Sequence, residues 1–190
     1  SDLDILVIAQ QNRIWTTRLG LLVVSQLLGR RRKYWNRQAP DKLCLNHYIS
    51  FGKLGLPKEI QNIYTAVLYA LLVPVYEPGV IRAFQAKNES WMRTHVMMGV
   101  TSRLFHLNTV RLGAGARWIK RFLEGILLEP AGDAVERLAE RIQRYSAQRH
   151  MTHRSRRIVL SENELAFHPD TKVPAILQAF HQDPAQQKLL

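Results

Sequence analysis

The chain has 190 residues, enough for one ordinary domain or for one domain with a helical appendage. Apolar residues make up 46% of it, which excludes a mainly disordered chain. Lys and Arg number 27 against 15 Asp and Glu, a formal charge of +12 that favours nucleic acid, nucleotides or other polyanions as partners.

A lone cysteine, Cys44, excludes an intramolecular disulfide and a cysteine-based zinc cluster. Set in Leu43-Cys44-Leu45, it reads as a buried thiol rather than a nucleophile. The acidic start lacks the basic region of a secretory signal. The apolar stretches at residues 19–28 and 66–75 are too short to cross a bilayer as helices. The expectation is a cytoplasmic protein without a transmembrane segment. The chain opens on a motif with no initiating Met, so it reads as a fragment lacking its upstream part.

Ser1-Asp2-Leu3-Asp4 leads directly into the apolar run Ile5-Leu6-Val7-Ile8. In a strand, alternation turns Asp2 and Asp4 the same way. Two carboxylates so placed repel each other unless a cation, a proton or a basic group lies between them. A hard divalent ion such as Mg2+ takes such oxygen ligands and keeps positions open for substrate phosphates. The unbroken apolar run suits a strand covered on both faces.

A polar turn follows, with Asn12 as the N-cap of a helix over 13–28 that Gly29 stops. Arg30-Arg31-Arg32-Lys33 complements the helix macrodipole or holds phosphate. Residues 34–41 form a loop and 43–50 a second strand. A helix is expected over 58–73, with apolar residues nearly all round and therefore in the core. Residues 80–87 suggest a short helix, and Asn88-Glu89-Ser90-Trp91 starts another segment. Helices over 114–128 and 132–150 follow, the latter docked by one face, then a dense basic loop to Arg157. Residues 158–161 are extended, Ser161-Glu162-Asn163-Glu164 reads as a turn or capping box, and 172–181 as a last helix.

No His-Glu-x-x-His pattern occurs, so a dedicated zinc site is not expected. His150 and His153 lie in the cationic loop, and His168 reads as structural. Trp35, among Arg32, Lys33 and Arg37, either stacks on a base or packs within the protein.

The opening Asp2-Leu3-Asp4 strand resembles the acidic motif of the polymerase-beta-like nucleotidyltransferase superfamily, in which a Gly-Ser pair precedes a hydrophobic-Asp-hydrophobic-Asp strand. The similarity extends to bacterial nucleotidyltransferase-domain proteins. It does so through Arg13-Ile14-Trp15, Leu27-Leu28-Gly29-Arg30-Arg31-Arg32 and Leu45-Asn46-His47-Tyr48-Ile49. It continues through Tyr64-Thr65-Ala66, Val73-Pro74-Val75-Tyr76, Asn88-Glu89-Ser90-Trp91 and Phe167-His168-Pro169.

The resemblance implies an α+β fold: a truncated nucleotidyltransferase-like mixed sheet in residues 1–57 and a mainly helical region in 58–190. It implies that Asp2 and Asp4 bind Mg2+ or Mn2+ bridging the phosphates of a nucleoside triphosphate, with Ser1 touching phosphate. The implied activity is transfer of a nucleoside monophosphate to an acceptor hydroxyl. Two departures matter. The Gly-Ser pair is not in the sequence, and strand 43–50, which should carry a third carboxylate, has Asn46 and His47 instead. His47 is then either the base or a structural histidine, and Asp41 a turn residue. Two further readings stay open: a catalytically inactive nucleotide- or nucleic-acid-binding protein with a basic helical surface, and a basic interaction domain whose Asp pair is surface.

Overall fold

The computed structural model describes residues 3–31, 42–96, 109–128, 130–150, 158–167 and 173–182. The protein is α+β, with a mixed four-stranded sheet and, among the described residues, six α-helices. The chain forms two compact units, residues 1–53 with 113–170 and residues 54–112 with 171–190. The first carries the whole sheet, so strands near residue 160 complete a sheet begun at residue 3.

In the first unit β1 (Leu3–Ala9) leads through α1 (Ile14–Leu27) to β2 (Leu43–Ser50), which lies parallel to β1. Such a parallel return needs a crossover long enough for a helix, and α1 provides it. After α4 (Ala114–Ile126) and α5 (Ala131–His150) come β3 (Ile158–Leu160) and β4 (Glu164–Phe167), an antiparallel pair. β4 docks antiparallel on β2, giving the order β1-β2-β4-β3. The hairpin turn is tied by Ser161, whose Oγ accepts from Asn163 N at 3.3 Å and Glu164 N at 2.8 Å. It is a turn, as expected, and it leads into a strand the sequence reading missed.

The core of this unit joins Ala9, Tyr48 and Leu165 of the sheet to Ile14 and Trp15 of α1 and Ala139 of α5. Gly29 ends α1 at φ 62, a left-handed conformation that glycine adopts without a Cβ penalty. Asn12 does not cap the helix. It sits at φ 59, and the N-cap is Arg13, without a side-chain cap bond of its own. The cap comes instead from α5. Glu136 accepts from Trp15 N and Thr16 N, each at 2.8 Å, and from Thr16 Oγ1 at 2.5 Å. Arg13 reaches back to Asp133 at 2.7 Å and to the carbonyl of Leu127 at 3.1 Å. Gln143 Nε2 donates to the Trp15 carbonyl at 2.8 Å. Helix α5 is therefore held on α1 by polar bonds as well as by Ala139.

In the second unit, the helix expected over 58–73 is divided into a 3-10 turn, Lys58–Ile60, and α2, Ile63–Ala70. Asn62 causes the break: its Oδ1 takes the Thr65 N–H at 3.0 Å and restarts the helix. Only one side of α2 is buried (Thr65, Ala66, Tyr69 and Ala70), while Tyr64, Val67 and Leu68 are exposed, so it is not encircled by core. Helix α3 runs unbroken from Pro78 to Met92, with Pro78 at its first turn, rather than ending before Asn88. Asn88 continues it because its amide is taken up by tertiary bonds to Leu54 and Leu56 and by bonds within the helix to Phe84 and Trp91. The last described helix is α6, Val173–Gln182.

Candidate functional site

Asp4 lies near the start of β1 and is exposed. Asp2 and Ser1 lie outside the described residues, as do Asp41, Trp35, His106, His153 and His168. Which side chains join Asp4 follows from the strand register.

Paired residues of neighbouring strands project to the same face. Asp4 pairs with Cys44, yet Leu6 pairs with His47, so β2 carries one extra residue at this point. The shift pairs His47 with Leu6 and so puts it on the face of Asp4 and Leu6. On the other side of β2, Ile49 pairs with Glu164. Asp4, His47 and Glu164 thus share one sheet face. The opposite face carries Tyr48, paired with Val7 and Leu165, and is the one covered by α1 and α5.

His47 Nε2 and Glu164 Oε1 lie 3.2 Å apart, with only 8% and 18% of their side chains exposed. A carboxylate on one imidazole nitrogen fixes the tautomer and the orientation of the ring. Glu164 is the residue the sequence reading missed as a partner of this site. The available signal was the hairpin pattern itself, two short apolar runs around Ser161-Glu162-Asn163. Asn46 Nδ2 donates to the Sγ of Cys44, the register partner of Asp4, at 2.7 Å. Cys44 is buried, as its apolar neighbours suggested.

Cations gather at the end of the sheet where Asp4 stands. Leu43, the partner of Leu3, also bridges Arg31 in parallel on the opposite edge of β2. Lys42 Nζ donates to the Gly29 carbonyl at 2.6 Å, which holds it beside the Gly29-Arg30-Arg31 segment. By that pairing Arg31 shares the face of Leu43 and Leu3, opposite Asp4, and its charge acts on Arg18 and Tyr48; Lys42, which alternates with Leu43, is on the side of Asp4.

Among the described residues no group of three His, Cys, Asp or Glu side chains could hold a metal ion by itself. The donor chemistry at Asp4 still fits a hard divalent ion. An exposed carboxylate is the ligand Mg2+ uses, and one or two of them suffice when substrate phosphates and water complete the shell.

The covered face contains a buried charge. The Arg18 guanidinium lies 4.0 Å from the Phe167 ring centroid and 6.0 Å from that of Tyr48, and donates to Gln143 Oε1 at 2.5 Å. Burial pulls Arg18 down from its ordinary value to about 10 and pushes Tyr48 up from 10.0 to about 12. The Tyr48 hydroxyl is buried and, among the described residues, has no hydrogen-bond partner. Tyr48→Phe is therefore expected to leave stability unchanged or raise it by up to about 1 kcal/mol. The unfolded chain releases the phenolic proton before the folded one does. Tyr48 thus takes stability away as pH rises from 10.0 through about 12, and the variant lacks that component. Arg18 acts in the opposite sense over the same alkaline range, and it is present in both proteins. Urea titrations of the two proteins at neutral and alkaline pH measure the difference.

Comparison of the chain with family models, with curated proteins and with solved structures gives no match.

Proposed function

We propose that this chain is a metal-dependent nucleotidyltransferase-like protein, moving a nucleoside monophosphate from a nucleoside triphosphate to an acceptor hydroxyl. The observation that carries the reading is the shared sheet face of Asp4, His47 and Glu164. Asp4, with Asp2 two residues earlier, supplies the carboxylates for Mg2+ or Mn2+. When bound, such an ion neutralises phosphate charge and aligns the phosphates for in-line displacement. Lys42 adds positive charge for the triphosphate at that end of the sheet. His47, oriented by Glu164, takes the proton of the acceptor hydroxyl, the task that a carboxylate on β2 would otherwise perform.

The test is equilibrium binding of a nucleoside triphosphate with and without Mg2+. Asp4→Ala is expected to weaken Mg2+-dependent binding by at least about tenfold. His47→Asn is expected to leave binding intact while slowing transfer. Because Asp4 is exposed, its loss removes no core packing. Binding that survives Asp4→Ala, ignores Mg2+ and falls steeply with salt would instead mark a catalytically inactive polyanion-binding protein, held by its basic surface through counterion release.

A further inference from the structure

We infer that α4 is a membrane-surface helix that lies in the headgroup layer of an anionic bilayer. Its 13 residues include none that is buried. Trp118, Ile119, Phe122, Leu123 and Ile126 recur at helical spacing and so share one side, and each is between 51% and 66% exposed. Arg117, Lys120, Arg121 and Glu124 fill the other side. At the helical angle per residue, Lys120 and Arg121 border the apolar arc on its two edges. From there their stems can lie along apolar surface while the charges reach phosphate. Aromatic and aliphatic residues on one side with a basic opposite side and low overall hydrophobicity are the composition of an interfacial helix.

The charge selects the occupant. Lys120 pairs with Glu124 at 3.6 Å, but a second copy docked face to face in antiparallel sense would set the Arg121 border of one molecule against that of the other, which is repulsive. An anionic lipid surface attracts both borders, and the chain's charge of +12 adds to that attraction. The apolar arc is also broad, with adjacent pairs at Trp118-Ile119 and Phe122-Leu123, rather than the narrow seam a coiled-coil partner would read. Trp118 and Phe122 stack at 5.5 Å between centroids, giving one flat aromatic surface suited to the headgroup boundary. No described helix is long and apolar enough to cross a membrane, so α4 lies on the surface and does not span it.

The experiment is co-sedimentation of the full chain with vesicles of phosphatidylcholine alone or mixed with phosphatidylglycerol. The double variant Phe122→Ser, Leu123→Ser is run in parallel. It keeps every charge, so adsorption of a merely basic protein is unaffected by it. Wild type is expected to sediment with the mixed vesicles and far less with phosphatidylcholine alone, and the variant is expected to bind the mixed vesicles at least about tenfold more weakly. Equal sedimentation of the two proteins would overturn the proposal, as would no sedimentation with anionic vesicles at low salt. A dimer in sedimentation velocity that the double variant dissolves would assign the face to a second copy and overturn it too. Bromolipid quenching provides a second readout, through the conservative substitution Trp118→Phe. Quenching of wild-type tryptophan that Trp118→Phe abolishes supports insertion, and quenching unchanged by Trp118→Phe contradicts it.

Discussion

Glu136→Ala is expected to lower the stability of the sheet-bearing unit by about 2–4 kcal/mol. The Glu136 carboxylate accepts three hydrogen bonds at the start of α1, two of them from backbone N–H groups that have no intrahelical acceptor. Those bonds are charge-assisted and lie where the helix dipole favours negative charge, so they exceed an ordinary neutral bond. The alanine side chain leaves the N–H groups of Trp15 and Thr16 in a partly buried interface with nothing to accept them. It also releases α5 from α1, and with it the packing of Ala139 on Trp15 and Tyr48. Glu136→Gln keeps one acceptor oxygen and should lose about half as much. Urea denaturation followed by tryptophan fluorescence reads both; a loss below about 0.5 kcal/mol for alanine would mean that water caps the helix equally well.

Asn88→Ala is expected to cost the second unit about 3 kcal/mol or more. Asn88 is 1% exposed and uses its whole amide. Its Oδ1 accepts from Leu56 N at 2.9 Å and Trp91 Nε1 at 3.1 Å, and its Nδ2 donates to the carbonyls of Leu54 and Phe84, both at 2.8 Å. Removing it strands a buried N–H at Leu56 and a carbonyl at Leu54 and opens a cavity beside Phe84. Asn88→Asp separates the two halves of the amide. A carboxylate still accepts from Leu56 and Trp91, but it cannot donate to the two carbonyls and instead repels them. It should therefore be no better than alanine. Hydrogen exchange across residues 63–92 measures the effect within this unit; protection unchanged by either substitution would contradict the assigned role.

What the sequence made legible follows from how local each signal was. β1, α1 and β2 were readable because an apolar run, a helical spacing and Gly29 mark them within a few residues each. α2 was misjudged because Asn62 makes a local cap that apolar periodicity does not reveal. Asn88 had the opposite effect: a residue that usually disfavours helix interiors sits inside α3 because distant backbone groups use its amide. The cap on α1 was out of reach, since Glu136 lies 121 positions from Trp15.

The candidate site divides in the same way. Asp4 stood out as an acid leading into an apolar strand, and His47 as the polar centre of β2. Their common face was not legible, because it depends on one extra residue in β2 that reverses the expected alternation. Glu164 was hidden for a related reason. β4 is only four residues long, and its place beside β2 is a tertiary fact.

Addition of Mn2+ with a nucleoside triphosphate, followed by NMR of the histidine ring protons, tests the central claim most directly. A paramagnetic ion held at Asp4 is expected to broaden the His47 resonances, identified by their loss in His47→Asn, and Asp4→Ala is expected to remove that broadening. His47 resonances that stay sharp in the wild-type protein, or that broaden equally after Asp4→Ala, would contradict a metal-nucleotide site on this face of the sheet.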